Sequence, residues 1–159
     1  MALLICSAFL SGCAQSESMN ISIEENGSTI IFDYRESNVV SILKMVIWEK
    51  DKGDILWALS GLYAPAKIEY GKIPQPKRTK LGYVQTPARQ LFPVDTTSPK
   101  PLSGIKEFYI LFEVDEDTIL GPNLDILLFQ ATLEDDNYFI HRVTPPQKFP
   151  DAVESLWMK

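Results

Sequence analysis

Ile21-Ser22-Ile23-Glu24-Glu25-Asn26-Gly27-Ser28-Thr29-Ile30-Ile31-Phe32-Asp33 is the stretch whose reading decides the fold class of this chain. Asn-Gly is the strongest two-residue hairpin signal, because both residues accept the positive φ that a type I′ turn demands. A turn centred on Asn26-Gly27 sets Ile23 opposite Ile30 and Ile21 opposite Phe32, all four on one face of the pleat.

Downstream, residues 39–50 are rich in Val and Ile and apolar on both alternating faces. Strict alternation groups Val40, Ile42, Val46 and Trp48 on one side and Val39, Leu43, Met45 and Ile47 on the other, the pattern of a central strand bent midway. Asp51-Lys52-Gly53 turns the chain into a returning strand over 54–59. A two-residue Lys52-Gly53 loop sets Trp48 opposite Trp57. A type I turn ending in Gly53 as a bulge sets Trp48 opposite Leu56, and the poor fit of Lys to positive φ favours the bulge. Both tryptophans read as core.

Residues 64–101 change character, holding seven of the eleven prolines. Proline cannot donate to a ladder, so strands here are expected to be short or at a sheet edge, with ordered loop between them. Lys77-Arg78-Thr79-Lys80 is the one basic cluster. With Tyr83 it is the expected partner-binding surface, because loops carry recognition more often than strands do.

Phe108-Tyr109-Ile110-Leu111-Phe112 reads as a buried strand, followed by a turn spanning Asp115-Glu116-Asp117 and Gly121-Pro122-Asn123. The acidic triplet lacks the spaced ligands and following glycine of a helix-loop calcium site and is expected to be a solvated, edge-protecting charge run. Residues 124–133 are apolar on both faces, hence interior, and form the last hairpin with 138–143. Asp151-Ala152-Val153-Glu154-Ser155-Leu156-Trp157 is expected to make one or two helical turns, with Asp151 near the cap and Val153, Leu156 and Trp157 facing the domain.

Catalytic motifs are missing from the chain. The single histidine, His141, falls in an expected strand, and no Ser sits in a Gly-x-Ser-x-Gly elbow. One histidine leaves few zinc arrangements, and neither a Gly-x-Gly-x-x-Gly nor a Walker phosphate loop occurs. A pair of carboxylates at the separation glycoside hydrolysis needs is not legible from spacing. No catalytic residue, metal or cofactor is therefore assigned. The net charge of −6 argues against nucleic acid as a partner.

The first residues set the expected location. Residues 2–10 are apolar apart from Ser7, the length of a signal-peptide core and far short of the roughly 20 residues that span a bilayer. They end in Leu10-Ser11-Gly12-Cys13, which resembles the lipobox of bacterial lipoproteins. No Lys or Arg precedes the run, whereas a signal peptide normally opens with a basic segment, so the expected start lies upstream. The resemblance implies cleavage before Cys13, acylation of that residue and a membrane anchor. It also implies outer-membrane sorting, since Ala14 rather than Asp follows the cysteine. With Cys6 in the leader and Cys13 lipidated, no thiol is left for a disulfide. A 12-residue leader removed from 159 residues leaves 147, enough for a single domain over 21–159 behind a polar tether, 13–20.

Ile68-Glu69-Tyr70-Gly71, Gly82-Tyr83-Val84-Gln85-Thr86-Pro87 and Pro101-Leu102 with Gly104 are similar to a recurrent pattern of bacterial envelope lipoproteins, in which a strand ending in Tyr-Gly precedes a proline-rich crossing. That likeness implies a β-sandwich and names no activity. The expectation is an all-β, immunoglobulin-like or transthyretin-like sandwich of about seven to nine strands, monomeric and bound to an envelope protein partner. Two other functions stay open: an inhibitor or immunity lipoprotein directed at a cell-wall-active enzyme, which needs a protruding loop, and a carbohydrate-active enzyme with paired acids.

Overall fold

The computed structural model describes residues 19–34, 39–76, 82, 86–94 and 98–158. Among these residues nine strands form two sheets, and one short helix follows them. β1 (Asn20–Glu24), β2 (Thr29–Asp33) and β5 (Lys67–Glu69) make a three-stranded sheet in the order β1-β2-β5. The larger sheet runs β6-β4-β3-β7-β8-β9, from β6 (Arg89–Phe92), β4 (Ile55–Leu62) and β3 (Val39–Glu49) to β7 (Glu107–Thr118), β8 (Gly121–Glu134) and β9 (Asn137–Val143). α1 is Asp151–Trp157. The chain is thus an all-β sandwich with a C-terminal helix.

The first hairpin has the expected register, Ile23 opposite Ile30 and Ile21 opposite Phe32. Asn26 takes φ 57°, ψ 34° and Gly27 takes φ 91°, the left-handed pair of a type I′ turn. The two strands described in the proline-rich segment are short and terminal, β5 in one sheet and β6 in the other. Proline, lacking an N–H, is tolerated at such edges. Residues 19 and 20, expected to lie in a tether, belong to the folded part: Met19 is buried in the core and Asn20 pairs with Asp33.

The core between the sheets gathers Ile30 and Phe32 from β2, Ile42, Met45 and Ile47 from β3, and Phe108, Ile110 and Phe112 from β7. Phe32 meets Phe112 edge-on at 5.8 Å, and Trp57 meets Tyr70 at 5.1 Å. Strict alternation misplaces Ile42, which lies in this core with Met45 rather than across the sheet with Val46. Register shifts between Val39 and Ser41 and between Ile42 and Lys44 turn over the short stretch between them, as bulges do, while Val39 stays on the Met45 side as expected. The β3–β4 register also differs from both alternatives. Trp48 pairs with Ile55 and Ile47 with Trp57, because the irregularity sits beside Leu56 rather than at Gly53. The two tryptophans consequently lie on opposite faces, both buried.

The acidic triplet does not form a turn. β7 continues through it to Thr118, the turn falls at Ile119-Leu120, and Glu116 is buried on the core side. β8 is interior only where β9 flanks it, from Leu128 onward. Leu124 and Ile126, in the part that outruns β9, are exposed. α1 lies on the far face of the large sheet, where Val153, Leu156 and Trp157 pack on Val46, Trp48, Ala58, Leu111 and Leu128 as expected.

A Cβ on Gly27 would stand 2.9 Å from Leu102 Cβ, at a φ that L side chains rarely adopt, whereas one on Gly104 meets nothing within 4 Å. Gly27→Ala is expected to cost about 1–3 kcal/mol for its backbone alone and more than Gly104→Ala, as read by urea unfolding of the two variants.

Candidate functional site

Cys13, Lys77, Arg78, Lys80 and Tyr83 all lie outside the described residues. His141 is an exposed strand residue of β9 opposite Gln130. Among the described residues no group of three or more His, Cys, Asp or Glu is placed to hold a metal. Burial raises the phenol pKa of Tyr34, Tyr70 and Tyr138, keeping all three protonated; Tyr70 donates to the Lys100 carbonyl at 2.8 Å. These phenols are packing groups with a polar tip.

The structure brings together residues that no linear motif joins. On the outer face of the large sheet, the ladder aligns Phe92, Ala58, Val46, Leu111 and Leu128 in one apolar row across five strands. The next row toward the β7–β8 turn holds Arg89, Ser60 and Lys44, followed by Glu113 and Ile126. Between α1 and the β6 edge, Phe92 of the first row and Arg89, Ser60 and Lys44 of the second line an open groove of ≈ 970 Å³. Ile55, Leu91, Phe92 and Leu156 give it apolar walls, and Val94 stands on its rim 84% exposed. A register shift between Ala58 and Leu59 sends Leu91 and Phe92 together toward this side. Pockets of this size, mostly apolar with a few convergent polar groups, are the usual form of small-ligand sites.

The groove's charge is one-sided. Lys44 and Arg89 line it and no carboxylate does among the described residues, although the chain carries 21 acidic side chains against 15 basic ones. Lys44 Nζ donates to the Trp157 carbonyl and lies 5.6 Å from the centre of its indole ring. This cation–π contact holds the ammonium over the outer face, with donor capacity left over. Glu113 flanks Lys44 on the side away from Ser60 and Arg89. The β6 edge is pinned from beneath: Trp57 Nε1 donates to Gln90 Oε1 at 3.0 Å, and Gln90 Nε2 donates to the Pro93 carbonyl at 2.9 Å.

A second surface lies at the tip of the β7–β8 hairpin. Ile119 and Leu120 occupy its turn fully exposed, at 105% and 99%. Leu124 and Ile126 extend the apolar strip along one face of β8, while Asp115, Asp117 and Asp125 make the arms acidic. Two features of the sequence could have pointed to these surfaces: Lys44 is the one charged residue in the apolar run 39–48, and Ile119-Leu120 directly precedes Gly121-Pro122.

No protein-family model, curated protein or solved structure matches the chain.

Gln90→Leu leaves the buried Trp57 N–H unpaired, and the expected loss is about 1–3 kcal/mol of stability in chemical unfolding.

Proposed function

We propose that the chain is a non-catalytic protein-binding subunit of the bacterial cell envelope, anchored by lipid on Cys13 and holding its partner with the β7–β8 hairpin tip. The observation that carries this reading is the pair Ile119-Leu120. Turns are ordinarily polar, and two consecutive aliphatic side chains wholly in water at a turn gain nothing for the fold. They gain a great deal in a partner's pocket, where buried apolar anchors ringed by polar contacts dominate binding energy.

The acidic arms define the partner's rim. Asp115, Asp117 and Asp125 beside the apolar tip favour a pocket edged by Lys or Arg, with the charges raising the association rate and the tip supplying the burial. Lipidation of Cys13, with Ala14 following it, places this hairpin at the outer membrane. The hairpin's length also supports the inhibitor reading, in which the same tip enters a wall-active enzyme's cleft. A carbohydrate-active enzyme has less support, since among the described residues no carboxylate lines the groove.

Ile119→Asp with Leu120→Asp is expected to abolish capture of a stoichiometric partner from gently solubilised envelopes, read by mass spectrometry, with unfolding unchanged within about 0.5 kcal/mol because both sites are exposed. Capture that survives this pair but is lost in Arg78→Glu with Lys80→Glu would move the docking surface to the basic loop. Cys13→Ser is expected to shift the protein out of the membrane fraction.

A further inference from the structure

We infer that the groove between α1 and β6 is a binding site for a long-chain carboxylate, a single alkyl chain ending in one anionic head. This site is separate from the hairpin tip and does not depend on the function proposed for it.

The register dictates the head-group position. Lys44 pairs with Ser60, and Ser60 with Arg89, so a hydroxyl stands between two cations on three adjacent strands. Adjacent antiparallel strands keep paired Cα atoms about 4.5–5.5 Å apart, which separates the two cationic Cα atoms by about 10 Å. Long Lys and Arg side chains can reach a common head group across that interval, and the Arg fork matches a carboxylate's two oxygens. Trp157 already fixes the Lys44 ammonium above the sheet. A carboxylate here gains charge-assisted hydrogen bonds from both sides and one from Ser60.

The apolar lining supplies the tail site. Leu91 and Phe92 on β6, Ile55 at the start of β4 and Leu156 on the helix make an apolar track beside the head-group row. An alkyl chain needs no hydrogen bond along such a track, whereas a peptide backbone laid there would leave buried amides unpaired. Charge complementarity selects the sign: two cations line the groove and, among the described residues, none of the chain's carboxylates does.

The test uses the full chain carrying Cys13→Ser, so that neither its own acyl groups nor detergent competes, and titration calorimetry with dodecanoate, dodecyltrimethylammonium and acetate. The expected result is one saturable dodecanoate site per chain, with acetate and the cationic amphiphile each bound at least on the order of tenfold more weakly. Arg89→Met is expected to weaken dodecanoate on the order of tenfold, the worth of a charge-assisted hydrogen bond, and not to weaken the cationic amphiphile, whose repulsion by Arg89 it removes. Lys44→Met with Arg89→Met is expected to remove the preference for the anion altogether. Equal binding of both amphiphiles, multiple detergent-like sites, absence of saturable binding, or an anion preference left unchanged by Arg89→Met would each overturn the assignment. Arg89 is exposed on an edge strand, so its variant folds even if the Lys44 variant does not. Loss of partner capture in the hairpin variants leaves these outcomes unchanged, which keeps the two sites experimentally separate.

Discussion

β3 and β7 pair through the middle of the large sheet, and both faces of that pair are apolar and buried. Met45, Ile47, Ile110 and Phe112 point toward the small sheet, while Val46, Trp48 and Leu111 point the other way, all within 2% of full burial. Two layers must therefore be supplied, one per face, since apolar surface left in water costs about 25 cal/mol per Å². The three-stranded sheet covers the first face. The seven residues of α1, with Phe149 edge-on to Trp48, cover a portion of the second. A short helix cannot roof six strands, and the uncovered remainder of that face is where the groove and the exposed arm of the hairpin lie.

This division explains what was legible in the residues. The first hairpin, the edge position of the proline-rich strands, the buried centre of β7 and the apolar side of α1 all rest on local rules, namely turn chemistry, the missing proline N–H and side-chain periodicity. Those rules apply within a dozen residues and hold. The faces of β3 did not follow, because bulges near Val39 and Ile42 reset the two-residue period without a glycine or proline to mark them. The turn at Ile119-Leu120 escaped notice for a related reason. Asp, Gly, Pro and Asn stand on either side of it and carry the stronger local turn signal.

The groove lay further from reach. Lys44, Ser60 and Arg89 belong to three strands, and only the inter-strand register, which single-sequence patterns do not determine, sets them in one row. Position along a strand says which face a residue takes; it says nothing about which residue of another strand stands beside it. The same limit applies to Glu116, which belongs by composition to a solvated run and by register to the core side opposite Val39.

The unflanked part of β8 has a further consequence for how the molecule behaves in a crowd. From Gly121 to Leu127 the outer edge of β8 extends past the end of β9, and open edges invite edge-to-edge pairing between copies. Self-pairing there would set Asp125 of one molecule on the edge joined to a second copy, with Asp115 and Asp117 one strand behind it. Charge on and beside an open edge adds to the cost of edge-to-edge pairing, so the acidic arms oppose the growth of a continuous sheet from the apolar hairpin.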